Sequence, residues 1–63
     1  MRLLRPREVA NRVGLSRATI WRLEREGSFP KRRQVGPNSV AWLEHEIDEW
    51  IENRPAAGEA EQK

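Results

Sequence analysis

The chain has 63 residues, a formal net charge of +2 and no cysteine. So short a chain forms one small domain at most, without a disulfide or a thiolate metal site. It contains no apolar run near the ~20 residues of a membrane span and no apolar segment typical of a signal peptide, so we expect a soluble cytoplasmic protein.

The charge is divided unevenly along the chain. Residues 1–33 contain ten basic and three acidic residues, whereas residues 34–63 contain two basic and seven acidic residues. A basic half predicts a polyanionic partner on one side only. The acidic half is then expected to face solvent, a neighbouring copy or another protein.

A short strand or an extended lead-in is expected over residues 2–4, with its leucines reaching the core. A first helix is predicted over about residues 6–13, because Pro6 suits the first helical position and Gly14 suits the end. Three apolar residues form its inner stripe: Val9, Ala10 and Val13.

The next stretch predicts a second helix with both ends marked. Ser16 is the expected N-cap, and Leu15 and Ile20 can close over the first turn as a hydrophobic staple. Gly27 is the expected stop, since glycine adopts the left-handed conformation at the least steric cost. The three-residue turn between the helices is typical of a helix-turn-helix, with an ordinary helical hairpin as the alternative.

The two sides of this second helix differ in chemistry. Ile20 and Leu23 lie on one side at helical spacing. The other side is largely basic: Arg17, Ala18, Trp21, Arg22 and Arg25. Such a face predicts contact with the DNA major groove. The alternative is that these arginines only form a charged, solvent-exposed surface.

A β-hairpin is predicted after Gly27, with strands over residues 31–35 and 40–43 around a turn. Because a lone hairpin is unstable in water, Val40 or Trp42, expected on one face, must pack on the helices, and Phe29 is expected to anchor the domain. The basic run Lys31, Arg32 and Arg33 predicts a wing that contacts phosphates or the minor groove. The alternative is a charged edge strand that prevents aggregation.

A third helix is predicted over about residues 44–53, with an acidic outer face that we do not expect to touch DNA. Its apolar stripe is Leu43, Ile47, Trp50 and Ile51. Trp42 and Trp50 are expected in the core. Residues 55–63 read as a disordered tail, which leaves a domain over residues 1–54.

Catalytic and ligand-binding chemistry is not indicated. His45 is the single histidine and falls on the acidic face, Ser16 is explained as a cap, and the four glycines are dispersed. We therefore expect no enzymatic activity, metal, cofactor, small-molecule ligand or membrane contact.

Four segments occur in a specific order: LSRATIWRL (15–23), EGSFP (26–30), VAWL (40–43) and EIDEWI (46–51). Together they resemble the AlpA family of phage-type transcriptional regulators, related to the excisionases and to the DNA-binding domain of MerR-type regulators. The resemblance covers about residues 2–54. It implies a mainly α, winged helix-turn-helix of three helices and a two-stranded wing, with the second helix in the major groove.

The resemblance also implies which residues approach DNA. By motif these are Ser16, Arg17, Thr19 and Arg22, with Trp21 at a position where such proteins often place an aromatic ring near a phosphate. The segment Arg5-Pro6-Arg7 is more basic than the family pattern requires, which would add phosphate contacts at the first helix.

We therefore expect a sequence-specific double-stranded DNA-binding protein that regulates transcription. Arg17, Arg22 and Thr19 are the expected base-reading residues. The expected phosphate or wing contacts are Ser16, Trp21, Arg25, Arg7, Arg12, Lys31, Arg32 and Arg33.

Alternatives and partners remain open from the sequence. One alternative is an excisionase that bends an attachment site for an integrase; another is a small interaction module such as an antitoxin or adaptor. Because a single module buries only about 600–1,000 Å² on DNA, further copies in a head-to-tail array, an integrase or RNA polymerase are the expected protein partners.

Overall fold

The computed structural model describes residues 2–57. Its helices are α1 (Pro6–Val13), α2 (Arg17–Arg25) and α3 (Glu44–Glu52), and its strands are β1 (Leu3–Leu4), β2 (Arg33–Gly36) and β3 (Ser39–Leu43). The three strands form an antiparallel arrangement in the order β1-β3-β2. The predicted bounds of α1 are confirmed, and those of α3 are correct to within one residue.

Strand β1 is the short strand that was one of two expectations for the start of the chain, and it adds a third strand to the predicted two-stranded wing. The fold is therefore less purely α than expected, and only one of the two leucines reaches the core, because Leu3 is 43% exposed. Strand β1 pairs with β3, placing Leu4 opposite Trp42, and this pairing holds Leu4 almost fully buried in the core. The carbonyl oxygen of Arg2 also accepts a hydrogen bond from the Glu44 N–H at 2.9 Å, which ties the strand to the start of α3. A third strand gives the hairpin the support that an isolated hairpin lacks in water.

The core confirms the predicted inner sides of α1 and α2. Its buried side chains are Leu4, Val9, Ile20, Phe29, Trp42 and Ile47, with Ala10, Val13, Leu15, Leu23 and Trp50 packed around them. The apolar stripe of α3 is shorter than predicted, because Ile51 lies in the last helical turn at the edge of the core and is 37% exposed.

The wing, residues 33–43, differs from the predicted hairpin in two respects. Strand β2 begins at Arg33 rather than at Lys31, because the Arg32 N–H donates to the carboxylate of Glu24 at 2.7 Å instead of joining the sheet. Ala41 and Trp42 are both buried although they alternate along β3, because β3 is the central strand and contacts both α1 and α3.

The segment between α2 and the wing is held by aromatic side chains. Phe29 packs edge-on against Trp42 and Trp50, with ring centroids 6.1 and 4.7 Å away. The indole N–H of Trp42 donates to the Pro30 carbonyl at 2.8 Å, and that of Trp50 donates to the Ser28 carbonyl at 2.7 Å. These contacts confirm Phe29 as an anchor and fix the chain between α2 and β2.

The predicted tail lies mostly beyond the part of the chain that the structure describes. Residues 55–57 are exposed, and residues 58–63 lie outside the described range. Within residues 2–57, no helix has both the length and the apolar character needed to cross a bilayer.

Candidate nucleic-acid interface

Helix α2 begins and ends where the sequence predicts, because both termini are capped. The Ser16 hydroxyl accepts from the Thr19 N–H at 3.2 Å and donates to the Thr19 hydroxyl at 3.0 Å. At the other end Gly27 has a φ of 82°. Its N–H donates to the Glu24 carbonyl and the Ser28 N–H to the Leu23 carbonyl, which is a Schellman motif. The short turn before α2 is likewise closed by Gly14, at a φ of 74°.

The outward side of α2 is the candidate interface. We define the α2 face as five exposed side chains: Arg17, Ala18, Trp21, Arg22 and Arg25. Ile20 is buried beneath them, so the orientation of the helix is fixed by the core while these side chains remain exposed. A helix that presents one basic side in this way has the width and chemistry to enter the major groove.

The arginines of the α2 face form few salt bridges with acidic side chains of the described residues. Within residues 2–57, no salt bridge involves Arg17 or Arg25, while Arg22 pairs only with Glu26, at 3.7 Å. Both partners of this i,i+4 pair are about half exposed, so the pair is weak. The guanidinium groups of Arg17, Arg22 and Arg25 are therefore available to bind an external anion.

The wing and the two residues before it contribute cations of two kinds. Lys31 is exposed just before β2. Arg32 instead pairs with Glu24 and places its guanidinium carbon 3.9 Å from the ring centroid of Trp21, while Arg33 pairs with Glu46 of α3 at 2.9 Å. Only Lys31 of the three predicted wing contacts is outside an ion pair among the described residues.

Two further arginines form ion pairs with acids of α1 and α3. Arg12 pairs with Asp48 at 2.9 Å and with Glu44 at 3.1 Å, and Arg2 pairs with Glu44 and Glu8, both at 3.7 Å. We call this group of five residues the α1–α3 face. The hydrogen bond to Asp48 is the largest cause that raises the pKa of Arg12 above its ordinary value. Arg12 was a predicted phosphate contact, but its charge is already matched by two carboxylates.

Other predicted contacts lie at the start of the two helices. Arg7 is exposed in the first turn of α1, and Thr19 is half-buried in the first turn of α2 with its hydroxyl oxygen accepting from Ser16. Because a hydroxyl both accepts and donates, Thr19 keeps one proton for an external acceptor.

Glu24 is a functional candidate that the sequence analysis missed. It is the one buried charged residue among residues 2–57, at 6% exposed, and it joins α2 to the residue that precedes the wing. Its position carried a usable signal: Glu24 follows the buried Ile20 by four residues, so the two lie on the same side of the helix.

A metal-binding group does not accompany the basic face among the described residues. Within residues 2–57, no three His, Cys, Asp or Glu side chains form a group suited to a metal ion, and His45 is exposed on α3. The fold and the surface together describe a small winged helix-turn-helix-like domain whose second helix is capped, packed on one side and basic on the other.

The chain belongs to the AlpA family. The family described as "Prophage CP4-57 regulatory protein (AlpA)" matches residues 2–55, which confirms the resemblance inferred from the motifs. The chain is 42% identical over 60 residues to the "DNA-binding transcriptional activator AlpA" of Escherichia coli (strain K12), covering 86% of each protein.

A phage protein is also similar. The chain is 46% identical over 55 residues to "Uncharacterized protein ORF88" of Enterobacteria phage P4, a match that covers 87% of this chain and 62% of the phage protein. The chain thus spans less than two thirds of that relative's length. Both relatives agree with the phage-type family assignment.

Proposed function

We propose that the protein binds specific sequences in double-stranded DNA and regulates transcription, with α2 in the major groove and the wing on the backbone or in the adjacent minor groove. The observation that carries this proposal is the α2 face: three arginines exposed on a helix whose other side is fixed in the core. The E. coli relative is named a DNA-binding transcriptional activator, which supports the same function here.

Arg17 and Arg22 are the proposed base-reading residues, with Thr19 beside them. An arginine fork grips guanine with two hydrogen bonds, worth ~1–3 kcal/mol of discrimination. Arg17 is exposed in the first turn of α2, and recognition helices contact bases mainly through their N-terminal residues.

Phosphate contacts are proposed for Arg7, Arg25 and Lys31, which are exposed and take part in no salt bridge within residues 2–57. Ser16 lies at the N-terminus of α2, where backbone N–H groups favour an anion. Arg12 and Arg33 are less suited, because each would have to leave a carboxylate before it reached DNA.

We further propose that several copies, or a copy with an integrase or RNA polymerase, act together, because a single module buries only about 600–1,000 Å² on DNA. A head-to-tail array could use the acidic side of α3. However, Glu44, Glu46 and Asp48 already pair within the chain, so Glu49 and Glu52, both exposed, are the acids left to meet a neighbour.

No catalytic step is part of this proposal. Ser16, the one nucleophile considered from the sequence, is used as the helix cap. His45 is exposed on α3, a different helix from the one that carries the α2 face.

The test is a titration of genomic DNA fragments, including the region around the protein's own gene, at ~50 and ~200 mM salt, since phosphate contacts make affinity salt-dependent. Retention of one fragment at the higher salt supports sequence-specific binding. Equal retention of all fragments, or of none, contradicts it.

Footprinting and circular permutation of the retained fragment then separate two outcomes. A single site over a promoter without strong bending supports transcriptional regulation. Several adjacent sites with strong bending support an architectural role at an attachment site.

A further inference from the structure

The side chain of Glu24, a residue of α2, is buried where the helix meets the chain just before the wing. Such an environment is unfavourable for a carboxylate. Glu24 is 6% exposed, and a buried carboxylate is costly unless it is paired and hydrogen-bonded. Arg32 supplies both kinds of contact: its backbone N–H donates to one oxygen at 2.7 Å and its guanidinium donates to the other. A single residue, placed just before β2, thus satisfies the buried carboxylate.

The same guanidinium also lies against α2 from outside. Its central carbon is 3.9 Å from the ring centroid of Trp21, within the range of a cation–π interaction. Trp21 precedes Glu24 by three residues, so the two side chains are neighbours on the helix surface. Arg32 is therefore held by two residues of α2, one buried and one on the α2 face.

We propose that Trp21, Glu24 and Arg32 form a lock that sets the position of the wing relative to α2, so that both meet DNA together. Glu24 and Arg32 are then positioning residues. The sequence predicts that Arg32 contacts phosphate, whereas its guanidinium contacts Glu24 and Trp21 of the same chain. This inference rests on the proposed function, because the position of the wing matters only if the wing touches DNA.

The neighbouring contacts explain why the lock lies where it does. Ser28 and Pro30 are held from the other side by the two indole N–H groups, which fixes the middle of the segment between α2 and β2. The lock fixes its end, one residue after the exposed Lys31. If Arg32 moved to a phosphate, the buried carboxylate of Glu24 would lose its hydrogen-bond partner. Arg32 therefore stays with Glu24 when DNA binds.

The first test is Glu24→Gln, with Glu52→Gln as the matched control, because both changes remove one negative charge and Glu52 is exposed on α3. Simple electrostatics predicts that both variants bind DNA at least as tightly as the wild type. The lock predicts that Glu24→Gln binds the retained fragment about tenfold more weakly, the loss expected of a displaced charge-assisted contact, while Glu52→Gln does not.

The second test is Arg32→Lys, with Arg54→Lys as the control, because both changes keep the charge and both remove a guanidinium that lies over a tryptophan ring. If Arg32 contacted phosphate, lysine would retain the contact and the dependence of log K on log[salt] would not change. The lock predicts a slope that is shallower by about 0.9 for Arg32→Lys, because the phosphate contact of the adjacent Lys31 is lost, and a wild-type slope for Arg54→Lys.

Thermal melts ensure that all variants are compared below their unfolding transitions. Wild-type behaviour of Glu24→Gln relative to its control, or an unchanged slope in a folded Arg32→Lys, overturns the lock and leaves the proposed function standing. If both variants are unfolded, the cluster is a folding element and the positioning role is overturned. A wild-type chain without DNA binding overturns the proposed function and the lock together.

Discussion

The α2 face and the α1–α3 face both contain arginines, and they differ in what those arginines contact. Arg12 on the α1–α3 face is matched by carboxylates 2.9 and 3.1 Å away. Arg17 and Arg25 on the α2 face form no salt bridge within residues 2–57. A basic stretch of sequence therefore does not predict a basic surface, because folding decides which cations meet an acid.

The charge of Arg12, on the α1–α3 face, does not change as the pH rises from neutral to mildly alkaline. The pKa of Arg12 is raised, chiefly by its hydrogen bond to Asp48. A raised pKa gives stability that is present below the ordinary arginine pKa and lost only as pH rises through the folded value. Arg12 therefore remains charged throughout the physiological range.

The largest expected effect comes from removing the base-reading residues. Arg17→Ala/Arg22→Ala should abolish fragment preference, because each arginine fork supplies ~1–3 kcal/mol of discrimination. The control is Arg2→Ala/Arg54→Ala, which removes the same charge away from the α2 face. Competition binding against random DNA measures the preference, and a double variant that keeps it refutes the assignment of α2 as the reading helix.

A smaller effect is expected where α2 begins. Ser16→Ala removes the N-cap and should lower the free energy of unfolding by ~1 kcal/mol. Ser28→Ala is the matched control, because Ser28 contributes backbone atoms to the contacts around it. Urea unfolding followed by circular dichroism measures both, and equal stability of the two variants would show that the cap does not stabilise α2.

The smallest expected effect tests whether the α1–α3 face can be made to behave like the α2 face. Glu44→Gln/Asp48→Gln removes the carboxylates that pair with Arg12. It should steepen the slope of log K against log[salt] for non-specific DNA binding by about 0.9, the value of one phosphate contact. Glu49→Gln/Glu52→Gln makes the same change of net charge without releasing Arg12. Identical salt slopes for the two double variants would mean that the ion pairs with Glu44 and Asp48 do not prevent Arg12 from contacting DNA.

Local features of the sequence account for the parts of the fold that were predicted correctly. Pro6 and Gly14 bound α1, and Ser16 and Gly27 bound α2, because caps and stops depend on residues within one or two turns. The outward side of α2 follows from helical spacing once Ile20 and Leu23 are assigned to the core. The α2 face was therefore recognisable before the structure was known.

Contacts between distant residues account for what was missed. A short strand was one expectation for residues 2–4, but its partner was not predicted, because Leu4 pairs with Trp42 of β3 and no local pattern signals so distant a pairing. The same applies to Arg12 and Asp48, 36 residues apart. Arg32 lies in a basic run that resembles a wing contact, but eight residues earlier the chain provides Glu24, so its charge is directed inward.

The most direct test of the account compares Arg12→Ala with Arg25→Ala, two variants that lose the same charge from different faces. Equilibrium binding to the retained fragment is measured over a series of salt concentrations. The account predicts that Arg25→Ala lowers the slope of log K against log[salt] by about 0.9, while Arg12→Ala leaves the slope at the wild-type value. A slope lowered equally by both variants would contradict the claim that the α2 face, and not the α1–α3 face, meets DNA.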